Sequence, residues 1–281
     1  MTFSTEYLIH PTAVVHPSAQ LHPTVRVGAN AVIEADVIIG SGTVVAHRAV
    51  IGQRTVLGEN NQIYPGAMLG AIATSAIPET SEEEDGPEAV PGKVVLGSRN
   101  YIREHVIIER GPGQDTVIGS DNLLMGYVFI GHGAQVADNT VMVNWVNLGA
   151  HVHVAPRAIL GGLAFIFPKV WIGRSVMVGG KATVHQDIPP FMLAADVPAR
   201  VRCLNTIGLS RIGISPRADI EGYRLLRFAH RLLYRSGLTL PEALAQIHQL
   251  DTHPQVQELS NFIEASLQRR ALGHIGEVEE D

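Results

Sequence analysis

Residues 25–63 read VRVGANAVIEADVIIGSGTVVAHRAVIGQRTVLGENNQI, and every sixth residue from Val27 to Ile63 is aliphatic. Backwards the same step takes in Ile9, Val15 and Leu21, and forwards Leu69. It resumes at Leu96, Ile102 and Ile108, shifts phase, and runs from Ile118 through Leu124, Ile130, Val136, Met142, Leu148, Val154, Leu160, Ile166, Ile172 and Val178 to Val184. A small residue often follows each aliphatic, as at Gly28, Gly40, Gly52, Gly131, Gly149 and Gly161.

A period of six fits neither a 3.6-residue helix nor a two-residue strand alternation. It fits a coil of short strands in which each hexad supplies one flat side and one corner. One aliphatic per hexad then points inward, and stacked coils line their aliphatics into columns. A glycine is expected at each corner, where a side chain would clash with the turning backbone. Six-residue sides imply three sides and about 18 residues per coil, the hexapeptide-repeat pattern of a parallel β-helix.

Two stretches break the period. Residues 71–93 hold a run of acids and three prolines, which predicts either a solvated loop or a flap over a neighbouring chain's site. Residues 111–115 form a short bulge; their Gly-Pro-Gly is no nucleotide loop, because Thr116 stands where a third glycine is needed and no helix follows. After Pro189-Pro190 the spacing turns helical, predicting a helix within 216–236 stopped by Gly237, another from Pro241 to about Leu250 and a third from Pro254 to about Gln268. The expected organisation is mainly β: a β-helix over 1–190 with the inserted loop 71–93, then a C-terminal α-helical domain over 191–281.

The 281 residues are 46% hydrophobic and 17% charged, with a net charge of −6, which argues against a polybasic nucleic-acid binder and for a chain that buries a real core. Cys203 stands alone, so one chain holds no internal disulfide and no multi-cysteine zinc site. MTFSTEYLIHPT lacks the pattern of a signal peptide and no apolar run approaches a membrane span, so a soluble cytoplasmic protein is expected.

Several blocks carry a more specific resemblance: Ser120 to Met125 (SDNLLM), Val176 to Gly180 (VMVGG), Gln186 to Pro190 (QDIPP), Asn205 to Arg211 (NTIGLSR) and Leu233 to Gly237 (LYRSG). In this order, ahead of a helical cap, the chain resembles the UDP-N-acetylglucosamine acyltransferases of lipid A biosynthesis. The resemblance implies a left-handed coil, a homotrimer with sites between subunits, and transfer of a 3-hydroxyacyl group from acyl carrier protein to a sugar hydroxyl without cofactor or metal. By matched position, His132 is the general base, the backbone N–H of Ala150 the oxyanion donor, His151 a substrate contact, and Asn205 and Arg211 contacts to the nucleotide-sugar. Gly180 falls where the family limits acyl length, although another corner glycine is an equal reading.

Spacing adds one relation of its own. His151 lies 19 residues after His132, one coil plus one residue, so the two are expected to be neighbours. His153 reads as a turn or surface residue, and His10, His16 and His22, each before proline, as corner residues. Arg224, Arg227, Arg231 and Arg235 form either a landing strip for the acidic carrier protein or a solvated helix face.

The departures from the family are apolar. Gly133 stands where an orienting acid usually follows the histidine, Phe129 where a second histidine is usual, and Phe167-Pro168 in place of a His-Gln pair. Ile207 and Ile212 replace polar ligands. These departures also fit a weak or inactive paralogue with a structural or regulatory role, and the repeat is shared with zinc-dependent hexapeptide carbonic anhydrases, whose three histidines would have to come from His132, His151 and His153, at a spacing wrong for that family.

Overall fold

The computed structural model describes residues 8–73, 92–250 and 253–271. It is a left-handed parallel β-helix capped by helices. Two- to five-residue strands form three sheets that the chain visits in turn: the first from Val14–Val15 to Thr183–Val184, the second from Gln20–Leu21 to Trp171–Ile172, and the third from Arg26–Val27 onward. Val14 pairs with Val32, Gln20 with Ile38 and Arg26 with Val44, so one coil is 18 residues. The period-six aliphatics are the interior columns: Val27, Ile33, Ile39, Leu69, Ile130, Leu148 and Ile166 are all 0–2% exposed. Full burial of each such side chain contributes about 1.5–3 kcal/mol. Ile9 is an exception at 44% exposed, with no coil beneath it among the described residues.

The corner glycines have a different reason from the expected one. The positive backbone angle falls two residues later, for example at Asn30 and His151 (φ 56° and 58°). The glycine itself sits where the next coil passes too close for a Cβ: one built on Gly131 would stand 2.8 Å from the Ala150 nitrogen. At the opening corners His10, His16 and His22 bond through Nδ1 to the hydroxyls of Thr12, Ser18 and Thr24. Those hydroxyls accept the N–H groups of Asn30, Asp36 and Gly42 in the coil above. They are corner residues, as expected.

Of the expected loop at 71–93, residues 74–91 lie outside the described residues. The bulge at 111–115 lengthens its coil, so that Tyr101 pairs with Leu123 and Ile107 with Phe129.

Beyond Pro190 the third sheet continues through the strands Met192–Ala195 and Arg200–Leu204, an antiparallel pair that the period did not predict. Four helices follow: α1 (Thr206–Arg211), α2 (Ile220–Arg235), α3 (Leu240–His248) and α4 (Pro254–Ala271). The last three fall where proline and glycine placement put them; α1, six residues long, is too short to show a period. Asp219 caps α2 by accepting from Gly222 N–H at 2.9 Å. Helix α4 docks through Asp187, whose carboxylate accepts from Trp171 N–H (2.7 Å), Ser266 Oγ (2.6 Å) and Arg269 Nη1 (3.1 Å). The Arg269 guanidinium lies 3.8 Å over the Trp171 ring.

Candidate active site

The strand Phe129–Ile130 ends at Gly131, and His132 opens the corner between the first and second sheets. Its ring points outward and is 17% exposed. One coil on, His151 occupies the same corner, its ring centroid 5.1 Å from that of His132 and nearly perpendicular to it. The neighbour relation expected from spacing is therefore present, held by a 2.9 Å bond from His151 N–H to His132 O. Between them in height, the Ala150 N–H has no acceptor among the described residues. At the equivalent position lower on the same edge Glu34 Oε2 takes the Gln53 N–H, and on the edge between the second and third sheets oxygens of the next coil take the N–H groups of Glu59, Ser98 and Ser120.

Burial, followed by the charge of His132 and then Lys169, holds His151 below the ordinary histidine pKa. Burial does the same for His153 and His230. All three are held toward the neutral form, with a stability consequence of definite sign. The unfolded chain protonates these rings near the ordinary value of about 6.5, before the folded chain does. Unfolding then takes up protons, so the melting temperature should fall as pH is lowered from about 7 toward about 5 and change little above 7. A melting temperature flat between those limits would contradict the burial of these rings.

His153 is neither in a turn nor free on the surface. It lies on the strand His153–Val154 with its ring 5.0 Å from Trp171. Among the described residues no three His, Cys, Asp or Glu side chains converge to hold a metal ion, so the zinc reading finds no ligand set there.

The bulge is part of the site. Gly111 lies against the His132 ring, where a Cβ would come within 2.6 Å of the ring carbons, and Gln114 Oε1 is 3.3 Å from His151 Nδ1. Glu109, on the strand Ile107–Arg110, brings a carboxylate oxygen to 3.7 Å from His132 Nδ1. Sequence reasoning missed Glu109 and Gln114. Their signal was the length of the bulge: Glu109 precedes His132 by one lengthened coil plus one residue, the relation that joins His132 to His151.

This corrects the reading of Gly133. The absence of an acid there does not leave the imidazole without a carboxylate, since Glu109 supplies one from the coil below. Nor is there room at 133: the residue has φ +68°, and a Cβ would stand 2.3 Å from His151 Nδ1.

The other expected site residues lie elsewhere on the same chain. Gly180 is on the edge between the third and first sheets, with negative φ, and a Cβ there would stand 3.3 Å from Gly162 O and 3.9 Å from Gly162 N. No backbone angle demands its glycine, and a Cβ would fit only if the Gly162 carbonyl gave by a few tenths of an ångström. Asn205 caps α1, accepting from Gly208 N–H (3.0 Å) and donating to Ser175 O (2.9 Å), so its buried amide is engaged on the edge between the second and third sheets. Arg211 is exposed at the far end of α1. Ile212 packs against the core, and Ile207 is 67% exposed. Phe167 lies on the histidine edge one coil above His151, its ring 3.8 Å from that of His185.

Comparison with known proteins decides the family. Residues 187–272 match the profile "Udp N-acetylglucosamine O-acyltransferase; Domain 2", and residues 18–53 match that of the six-repeat bacterial transferase hexapeptide. An acyl-(acyl-carrier-protein) UDP-N-acetylglucosamine O-acyltransferase of Verminephrobacter eiseniae is 42% identical over 200 residues, 70% of this chain and 71% of the relative. The chain belongs to the UDP-N-acetylglucosamine O-acyltransferase family. A relative of the same name from Gloeothece citriformis is 38% identical over 208 residues, 73% of this chain and 71% of its own. The solved LpxA of Acinetobacter baumannii superposes with a TM-score of 0.84 at 32% identity, covering 92% of this chain and 98% of that one. The UDP-N-acetylglucosamine O-acyltransferase structure from Arabidopsis gives a TM-score of 0.75 at 28% identity over 92% of this chain.

Proposed function

We propose that this acyltransferase performs the first step of lipid A biosynthesis at the His132–His151 edge, moving a 3-hydroxyacyl group from acyl carrier protein to a hydroxyl of UDP-N-acetylglucosamine. The observation that carries the reading is the meeting, on one edge, of an outward imidazole, a second imidazole and an unclaimed backbone N–H. His132 Nε2 takes the proton of the sugar hydroxyl as its oxygen attacks the thioester carbonyl. The Ala150 N–H receives the oxyanion of the tetrahedral intermediate. As that intermediate collapses, the carbon–sulfur bond breaks and the imidazolium returns its proton to the departing thiolate. His151, kept neutral, stands beside the base to hydrogen-bond substrate. Acyl transfer from carrier protein to UDP-N-acetylglucosamine, followed by mass, tests this reading; it should be lost in His132→Ala.

The dispersal of Gly180, Asn205 and Arg211 over other edges supports completion of the site by further copies in a homotrimer. Large exposed apolar side chains support the same assembly. Met68, Ile107 and Phe165 on the first sheet, with Tyr127, Trp145 and Leu163 on its edge with the third, are 38–54% exposed. A heterologous threefold contact would set one protomer's third-to-first edge against the next protomer's first-to-second edge, carrying Gly180 toward His132. Sedimentation should return a stable trimer at micromolar concentration, and a monomer would overturn this arrangement.

In that assembly Arg211 pairs with the diphosphate, suited by its bidentate fork, while Asn205 holds the helix that presents it. Gly180 leaves the acyl groove open. Gly180→Met should shift preference toward shorter donors with a nearly unchanged melting temperature, and an unchanged chain-length profile would reduce Gly180 to a corner residue. Arg224, Arg227, Arg231 and Arg235 line a groove along α2 with Tyr223 and Phe228, complementary to the acidic carrier protein. These substrates support a reaction in the cytoplasm. Among the described residues no helix is long and apolar enough to cross a membrane.

A further inference from the structure

We propose that Glu109 is the positioning residue of His132, holding the Nδ1 proton and thereby presenting Nε2 as the base; the proposal rests on the general-base reading above. Glu109 Oε2 is 3.7 Å from His132 Nδ1, and the two side chains are 14% and 17% exposed. Among the described residues it is the one carboxylate within 4.0 Å of that ring. The distance is that of an ion pair and longer than a hydrogen bond, as is common for catalytic pairs before substrate closes the site.

The frame around the pair is rigid. Thr116 Oγ1 donates to Glu109 O at 2.7 Å and accepts from Gly133 N–H at 2.9 Å, so one hydroxyl ties the main chain of the acid to the residue after the histidine. Gly111, without a side chain, lets the imidazole lie flat against the backbone between them. The lengthened coil thus holds an acid on the strand before the bulge, a glycine seat within it and a threonine link on the strand after it. An imidazole whose Nδ1–H faces a carboxylate is held in one tautomer, with the lone pair on Nε2, and the imidazolium formed during the reaction is stabilised. Position 133, filled by the His151 ring, offers no such place.

The test compares Glu109→Gln and Glu109→Ala in the full-length enzyme, with acyl carrier protein thioester and UDP-N-acetylglucosamine as substrates. Glu109→Ala should lower kcat on the order of 10²-fold, and Glu109→Gln, which keeps the shape and an acceptor oxygen, by less. The KM for either substrate should stay within about threefold, since the carboxylate acts through the imidazole and not on substrate. Nitrogen NMR of the His132 ring should show a single Nδ1–H tautomer in wild type and a mixture in Glu109→Ala. The double variant Glu109→Ala/His132→Ala should be no slower than His132→Ala alone, because a positioning residue has nothing left to position. An unchanged kcat, an effect confined to KM, an unaltered tautomer, or a further loss in the double variant would each overturn the proposal. Full activity in His132→Ala would instead remove the general-base reading, so the two failures are distinguishable.

Discussion

Replacement of His132 by alanine is expected to lower kcat on the order of 10²–10⁴-fold while assembly and melting temperature stay near those of the wild type. The size follows from the chemistry: a sugar hydroxyl attacks a thioester slowly unless its proton leaves in the same step. The insensitivity of the fold follows from position. The aliphatic column passes through Ile130 and Leu148, both fully buried, and the His132 ring lies outside it. Truncation removes contacts with Gly111 and Glu109 but opens no cavity in the core. Steady-state transfer across several acyl lengths, with a melt of each variant, makes the measurement. If wild type and His132→Ala share one background rate with every donor and with both N-acetyl and 3-amino sugars, the edge is not catalytic and a structural role becomes the better account.

The second large effect is on stability. Asp187→Ala should destabilise the docking of α4 by about 3–5 kcal/mol, the cost typical of removing one partner of a buried ion pair. The Asp187 side chain is 2% exposed and that of Arg269 is 15%, so loss of the carboxylate removes an ion-pair partner of Arg269 in a poorly solvated place. Trp171 N–H and Ser266 Oγ lose their acceptor at the same time. At about 2–4 °C per kcal/mol for a chain of this size, the melting temperature should drop by on the order of 10 °C. Hydrogen exchange should rise first in α4. A melting temperature within about 2 °C of wild type would show that the Asp187 cluster is not what docks the helix.

The β-helix was legible because its cause is periodic. A residue that faces inward once per side must recur every six positions, and Ile33, Ile39, Val45 and Ile51 do so without a miss. The pairing of His132 with His151 was legible for the same reason, coil length being a constant of the fold. Glu109 escaped notice although the phase shift between Ile108 and Ile118 held the four extra residues needed to place it. The missing acid was sought next to the histidine in the chain, whereas in a stacked coil the close neighbours of a corner residue are the corners above and below. The polar ladder inside the solenoid was equally silent: Asn100 Nδ2 donates to Asn61 Oδ1, and Asn122 N–H to Asn100 Oδ1, and the period-six aliphatics gave no sign of it.

By itself the sequence determined the repeat, the three-sided coil, the last three of the four helices that follow and the two histidines that share a corner. All of these depend on residue type at fixed spacing. Only the tertiary structure decided that Glu109 supplies the carboxylate, that His151 occupies the space beside Gly133, that no backbone angle requires the glycine at 180, and that Asn205 spends its amide on capping α1. Those outcomes depend on distances between coils and on which atoms reach across them, and spacing along a chain carries no such distances once insertions alter the length of a coil.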